Sequence, residues 1–96
     1  MYFVWDHDKE RKNISKHCID FDTAVSVFND NNRIEMYDEE HSADEDRFIT
    51  IGMVGSLTIV VTVVYTYRDP AIRIISARTA TKAESEVYYG DRGKRY

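Results

Sequence analysis

Three β-type runs follow one another between Arg47 and Ala77, and they limit the folds that are open to this chain. "RFITIGM" and "LTIVVTVVYTY" are joined by "VGS", which is hairpin spacing, and "AIRIISA" follows Pro70. The longest apolar run, "LTIVVTVVY", is about half of the roughly 20 residues that a membrane-spanning helix needs, and threonines interrupt it. It therefore predicts a buried strand, and we expect no membrane segment.

The residues before these strands carry helix signals. "YFVW" predicts a short first strand, and Asp6 is suited to cap a first helix from His7 to His17. A second, short helix is predicted after Asp20 or Asp22. "RIEMY" then alternates in the manner of a strand.

The C-terminal end carries the pattern of a capped helix. Thr81 and Glu84 form a Thr-x-x-Glu capping box, which predicts a helix over 82–89 that ends at Gly90. The order of a strand, two helices, consecutive strands and a helix predicts an α+β domain with a mainly antiparallel sheet. We expect a single domain over residues 1–90 and a frayed basic tail over residues 91–96.

Charge is divided unevenly along the chain, whose formal net charge is −4. Residues 20–46 hold ten acids and one base, whereas residues 47–96 hold four acids and eight bases. This division fits one surface for phosphate and another for a basic protein partner, or else ordinary solvated acidic loops. The single cysteine excludes an intramolecular disulfide, and no secretion signal is visible, so we expect a cytoplasmic protein.

Several kinds of chemistry have no support in the sequence. The acidic loop "DEEHSADED" offers ligands for a divalent cation, but its spacing matches neither a calcium loop nor a His-Glu-x-x-His site. The glycines stand singly, so no phosphate-cradling loop is indicated, and no serine lies in a Gly-x-Ser-x-Gly elbow. We therefore expect neither a metal site nor a cofactor.

A set of basic and proton-transferring side chains remains. Cleaving RNA without a metal requires a base for the 2′-OH proton, an acid for the leaving oxygen and cations for the charge that gathers on phosphorus. Arginine suits the last task because its planar fork stays charged, and histidine suits proton transfer near neutral pH. The candidates of these types are Lys16, His17, Arg47, Tyr65, Arg73 and Arg78.

Arg73 and Arg78 can serve one site only under a geometric condition. In a regular strand Arg73 shares a face with Ile75 and Ala77, whereas Arg78 points to the opposite face. The two would meet if the strand ended or twisted near Ala77, which the capping box at Thr81 favours. The alternative is that both arginines pair with Asp and Glu side chains around the sheet edge.

Short stretches spread over residues 3–89 form a family pattern. The most specific is "RIISAR" followed by "TATKAE". The others are Trp5-Asp6, Lys9, Asn13, Lys16-His17, Phe21, Ala24, Val27-Phe28, Asp38, His41-Ser42, "EDRF" from Glu45, Gly52, "VVYT" from Val63, and Tyr88. Together these stretches resemble the BrnT-type toxins of bacterial type II toxin–antitoxin pairs.

The resemblance implies a small ribonuclease with a RelE-like fold. Such a toxin cleaves cellular RNA, arrests growth and is neutralised by a BrnA-type antitoxin, with which it would form an oligomeric complex. In that family the antitoxin carries the DNA-binding module, so the toxin meets DNA only indirectly. The acidic segment of residues 20–46 would suit a basic surface on the antitoxin.

Residue chemistry and motif position together predict the cations of the site. Arg73 and Arg78 would bind phosphate and stabilise the transition state, with Lys16 and Arg47 in support.

The same reasoning names candidates for proton transfer. His17 and Tyr65 are such groups, and Glu45 is either a base or the partner that orients Arg47. One departure concerns His17, because the family pattern usually reads Lys-His-Gly and this chain reads "KHC". The glycine that best tolerates a left-handed helix end is therefore replaced, which puts the aim of His17 in question.

Two other functions stay open at this point. The first is a non-catalytic protein-interaction domain on the same fold, as in a decayed toxin. The second is a metal-dependent nuclease that uses the acidic loop.

Overall fold

The strands form one mixed sheet. The structure, a computed structural model, describes residues 2–94 and the side chains of residues 2–90. Its strands are β1 (Tyr2–Val4), β2 (Ile34–Tyr37), β3 (Phe48–Val54), β4 (Ile59–Arg68) and β5 (Ala71–Thr79), in the spatial order β1-β5-β4-β3-β2. The pairs from β2 to β5 are antiparallel, whereas β1 pairs in parallel with β5. The predicted α+β class is confirmed, and the sheet is not purely antiparallel.

Within residues 2–94, three α-helices accompany the sheet, namely α1 (His7–His17), α2 (Phe21–Ser26) and α3 (Lys82–Lys94). Asp6 caps α1 as predicted, since its carboxylate accepts from the backbone N–H groups of Asp8 and Lys9. Asp20 caps α2 in the same way. No helix within residues 2–94 combines the length and the apolar character needed to cross a membrane.

The capping box of α3 forms as predicted. The hydroxyl of Thr81 accepts from the backbone N–H of Glu84 at 3.1 Å, and the Glu84 carboxylate accepts from the backbone N–H of Thr81 at 2.9 Å. Gly90 interrupts the helix at φ 35° and ψ −124°, where the sequence predicts its end, and helix resumes to Lys94. The predicted tail falls on residues 91–94, whose side chains are not described, and on residues 95 and 96, which lie outside the described part.

Each face of the sheet contacts a different helix. On the face that we call the α2 face, Val61, Val63 and Tyr65 of β4 belong to one buried cluster with Phe21 and Ala24 of α2. The other face carries Thr62 and Thr66, and we call it the arginine face because of the residues described below. Part of it is covered by α3, whose Tyr88 forms a second cluster with Ile51 and Val60.

Helix α1 is attached to the sheet through a polar side chain rather than an apolar stripe. Among the residues of α1, only Asn13 is buried. Its amide nitrogen donates to the carbonyls of Ile19 at 2.9 Å and Ala77 at 2.8 Å, and its amide oxygen accepts from the Ala77 N–H at 3.1 Å. Because β1 pairs with β5 only as far as Arg73, Asn13 takes the place of a neighbouring strand at Ala77. This contact fixes α1 alongside β5.

Candidate functional site

A bulge in β5 brings Arg73 and Arg78 onto one face of the sheet. Val64 of β4 pairs with Ser76 and Tyr65 pairs with Ile74, so Ile75 has no partner on β4. The extra residue shifts the alternation of side chains along β5 by one position. The strand continues to Thr79, so the early ending near Ala77 that the capping box favours does not occur. The bulge, and not an early end of the strand, meets the geometric condition.

The strand pairing shows that the two arginines share this face. Arg73 lies opposite Thr66, and Arg78 lies opposite Thr62. Directly opposed residues project to the same face, and the two threonines are four positions apart on β4, an even spacing. Their Cα atoms are separated by about 13 Å at the usual rise of a strand. Both arginines therefore project from the arginine face at separate positions.

Arg78 is held by an acidic residue of α3. Its two terminal nitrogens donate to the two carboxylate oxygens of Glu84 at 2.7 and 2.9 Å, and the Thr62 hydroxyl donates to the same carboxylate at 3.0 Å. The hydrogen bonds from Arg78 are the main cause that lowers the pKa of Glu84 to about 2, and Glu84 in turn raises the pKa of Arg78. The expected alternative of an arginine paired with an acid is thus found at Arg78.

Arg73 has different surroundings. It is half-buried, and together with Val4, Trp5 and Asp6 it lines a cavity of about 250 Å³. Its side chain forms no hydrogen bond or ion pair with any residue that the structure describes. The pKa of Asp6 is lowered by its helix-cap hydrogen bonds and, to a smaller extent, by the charges of Arg73 and Lys9. The start of α1 therefore has two cations close to its capping carboxylate.

A groove between α1 and β5 continues this basic surface. It measures about 230 Å³ and is lined by Lys9, Lys12, Asn13, Lys16, His17, Ile75 and Ser76. We call it the lysine groove. No acid lines it, and its lysines and histidine make no side-chain hydrogen bond or ion pair with the side chains that the structure describes, those of residues 2–90. Lys16 and His17, which the sequence predicts as site residues, therefore lie together beside the bulge of β5.

The replacement of glycine after His17 leaves the end of α1 in the expected conformation. Cys18 adopts the left-handed conformation at φ 60° and ψ 27°, and its N–H donates to the carbonyl of Ile14 at 2.8 Å. His17 remains the last residue of the helix. The backbone strain at Cys18 thus does not redirect His17 away from the lysine groove.

Tyr65 lies apart from these residues, on the α2 face. Its side chain is fully buried, and its hydroxyl donates to the Glu35 carboxylate, which also accepts from the Tyr67 hydroxyl at 2.8 Å. Burial raises the pKa of Tyr65, and the neighbouring Glu35 raises it further. The structure therefore does not bring Tyr65 together with the arginines or the lysine groove.

Glu45 lies in the acidic loop, and Arg47 follows that loop directly before β3. Glu45 binds Arg68 at 2.9 Å, and the buried Nε of Arg47 has no hydrogen-bond partner in the part of the chain that the structure describes. Both residues line a cavity of about 450 Å³ that shares no lining residue with the lysine groove. Among the described residues, no three His, Cys, Asp or Glu side chains are grouped so that they could hold a metal ion.

Two features of the site have no signal in the amino-acid sequence. Ser76 and Lys12 line the groove but do not stand out in the sequence, because neither residue type signals chemistry without its neighbours. The bulge at Ile75 is the second, since the run "RIISAR" contains no glycine or proline that would mark an irregular strand. The polar side of α1, in contrast, is visible from its helical spacing.

Comparison with known proteins gives one family. Residues 5–84 match the model of a family described as the ribonuclease toxin BrnT of type II toxin–antitoxin systems. No curated protein matches the chain. The matched range includes α1, the whole sheet from β2 to β5 and the capping box of α3.

Proposed function

The chain belongs to the BrnT family of type II toxin–antitoxin ribonuclease toxins, and on that premise we propose that it is a RelE-like, metal-independent endoribonuclease. It cleaves cellular RNA by attack of a 2′-OH on the adjacent phosphodiester, and this cleavage arrests growth. A BrnA-type antitoxin neutralises it. The proposed site is the arginine face together with the lysine groove.

One observation carries this proposal above the others. The bulge at Ile75 places Arg73 and Arg78 on a common face, and the same part of β5 borders Lys16 and His17. RNA cleavage without a metal needs fixed cations and a proton-transfer group near one phosphate. The arrangement supports an RNA site because cations and a proton-transfer group lie along one strand.

Arg73 is the principal cation in this proposal. A guanidinium has five N–H donors and can bind two phosphate oxygens at once. No described acid forms an ion pair or a hydrogen bond with the side chain of Arg73. Arg78 is a supporting cation, because Glu84 engages both of its terminal nitrogens. The remaining N–H bonds of Arg78 stay available for a second phosphate oxygen or a neighbouring phosphate.

His17 is the proton-transfer group that we assign to the reaction. It takes the proton from the attacking 2′-OH or gives one to the departing 5′-oxygen. Lys16, the adjacent cation in the lysine groove, stabilises the negative charge of the phosphate during this step. The proposal assigns no step to Tyr65, Glu45 or Arg47, whose roles remain predictions from the sequence.

The partner surface is proposed to be separate from the RNA site. The acidic segment of residues 20–46 suits a basic surface of the antitoxin, and the toxin meets DNA only through that antitoxin. Because the chain acts on cellular RNA in this proposal, its location is cytoplasmic.

Expression of the chain without an antitoxin tests the function. We expect growth arrest and fragmented cellular RNA, and both effects should disappear on co-expression of a BrnA-type antitoxin. The purified protein should cleave RNA equally well in excess chelator, since no step uses a metal ion. Benign expression with intact RNA would reject the proposal, and loss of cleavage in chelator would favour the acidic-loop nuclease instead.

The alternative function is a non-catalytic protein-interaction domain on the same fold. The Arg78–Glu84 ion pair favours it, because a cation already bound by a carboxylate can be purely structural. Under this alternative the purified protein binds its antitoxin but leaves RNA intact. The cleavage experiment therefore separates the two functions directly.

A further inference from the structure

The two sides of α1 carry opposite charge arrangements. On one side Arg11 pairs with Asp8, and His7 lies 4.0 Å from Glu10, each at a spacing of three residues. On the other side three lysines, Lys9, Lys12 and Lys16, line the groove next to β5. The first side thus holds acids and bases within reach of each other, whereas the three lysines form no ion pair with any side chain of residues 2–90.

The three lysines repel one another along their side of the helix. Lys12 and Lys16 are four residues apart, and Lys9 and Lys12 are three apart, so like charges oppose one another along this side. Lys9 also stands in the first turn, where the helix dipole disfavours a cation. Lys16 in the last turn is the exception, since the dipole favours it there. An anionic ligand would explain the unfavourable pair of Lys9 and Lys12.

The three lysines extend the positive charge of Arg73, which lies on β5, along the length of α1. Asp6, which caps α1, is close enough to Arg73 and Lys9 for both charges to lower its pKa. From there Lys12 and Lys16 follow at about 4.5 and 10.5 Å from Lys9 along the helix axis. Cations at such intervals beside a groove suit a chain of phosphates rather than a single anion.

We infer that Lys9, Lys12 and Lys16, together with Arg73, bind the phosphate backbone of single-stranded RNA along α1. This inference rests on the proposed ribonuclease function and adds the path of the substrate. A single strand is the ligand because the three lysines line a groove between a helix and a strand, which can follow one backbone, and Arg73 lies beyond its end at the start of α1. Proteins that bind double-stranded RNA instead use a broad surface that spans successive grooves of the duplex.

Binding measured without cleavage tests this path. The probe is a single-stranded oligoribonucleotide with 2′-O-methyl groups, which block attack by the 2′-OH. The variant is K9Q/K12Q, and the matched control R11Q/K82Q removes the same charge from the other side of α1 and from α3. Affinity is measured from 50 to 200 mM salt, together with the thermal unfolding temperature of each protein.

The expected result is a change in salt dependence that is confined to the lysine variant. The slope of log K against log salt should fall by about 0.7 for each lost phosphate contact, hence by about 1.4 for K9Q/K12Q. The ratio of the binding constant of the unaltered protein to that of K9Q/K12Q would then fall about sevenfold as the salt rises from 50 to 200 mM. The unfolding temperature should stay the same or rise, because repulsion is relieved. The control should retain the full slope.

Three outcomes would separate this inference from the proposed function. An unchanged slope in K9Q/K12Q, with normal cleavage of unmethylated RNA by the unaltered protein, overturns the path and leaves the function intact. A reduced slope without any cleavage supports the path and rejects the ribonuclease. An equal effect on a duplex probe of the same sequence overturns the assignment to single-stranded RNA.

Discussion

Each half of β5 has one arginine on the arginine face, and the two arginines differ in whether an acid binds them. Arg73, in the first half, forms no ion pair or hydrogen bond with a described acid and lies near Asp6 at the start of α1. Arg78, in the second half, is bound through both terminal nitrogens to Glu84 of α3. The availability of each arginine to a ligand therefore depends on the helix beside it and not on the strand that carries it.

Removing Arg73 should have the largest effect on this comparison. In R73A we expect RNA cleavage to fall about 10²- to 10³-fold, since a fixed donor to the transition state is lost. The free energy of unfolding should change by less than about 0.5 kcal/mol, because no described partner is left unpaired. Single-turnover cleavage and urea unfolding measure the two effects.

The variant R73K provides the matched control for this prediction. It keeps the charge but not the planar fork, so cleavage should lie between that of R73A and that of the unaltered protein. Full activity in R73A would remove Arg73 from the site and make the two halves of β5 equivalent.

Replacing Asn13 should break the contact that holds α1 beside β5. In N13A, two carbonyls and one N–H group lose their partner, and we expect a loss of about 2–3 kcal/mol in the free energy of unfolding. Cleavage should fall as well, because Lys16 and His17 depend on this attachment. Urea unfolding measures the stability, and N32A, at an exposed residue, is a control with little expected change. A stable N13A protein would show that other contacts position α1.

Replacing Glu84 should make the second half of β5 resemble the first. In E84Q the ion pair to Arg78 is lost, and we expect a loss of about 1–2 kcal/mol at pH 7, a value reduced for the partial exposure of the pair. The folded-state pKa of Glu84 is lowered to about 2 from an ordinary value of 4.5. Its contribution is therefore complete above about pH 4.5 and is lost as the pH falls towards 2.

Urea unfolding at several pH values checks this prediction. The difference between E84Q and the unaltered protein should be constant near neutral pH and should shrink below about pH 4.5. A difference that grows on acidification would contradict the lowered pKa. The substitution E86Q, at an exposed neighbour on α3, is the matched control.

Restoring glycine at residue 18 should have the smallest effect. In C18G we expect a gain of about 0.5–1 kcal/mol in the free energy of unfolding, since glycine adopts the left-handed conformation at φ 60° without steric cost. Cleavage should be unchanged, because α1 already ends at His17 with residue 18 in the left-handed conformation that glycine would adopt. The control C18A should bring no gain, since alanine also carries a Cβ. A large change in cleavage would show that Cys18 does redirect His17.

The sequence predicts the elements of the fold closely where local signals are strong. Asp6 and His17 bound α1 as predicted, and the capping box of Thr81 and Glu84 forms. These signals act between residues a few positions apart, so local physics is sufficient. The parallel pairing of β1 with β5 has no such signal, because the partners are about 70 residues apart in the chain.

The residues of the candidate site likewise include some that local sequence signals bring together and some whose position depends on tertiary packing. Lys16 and His17 lie together because both belong to one helix, and helical spacing is visible in the sequence. Tyr65 and Glu45, in contrast, share residue chemistry with the site but lie elsewhere in the structure. Residue type indicates what a side chain can do, and only packing decides what it faces.

The sequence by itself determines an α+β domain, the capped helices and the two arginines of "RIISAR". Only the tertiary structure decides that these arginines share a face, because an unpaired residue in the ladder between β4 and β5 reverses the alternation between them. It also decides that Glu84 binds Arg78, whereas Arg73 forms no ion pair with any acid that the structure describes. Bulges and ion pairs depend on the partner strand and helix, and no residue of "RIISAR" carries that information alone.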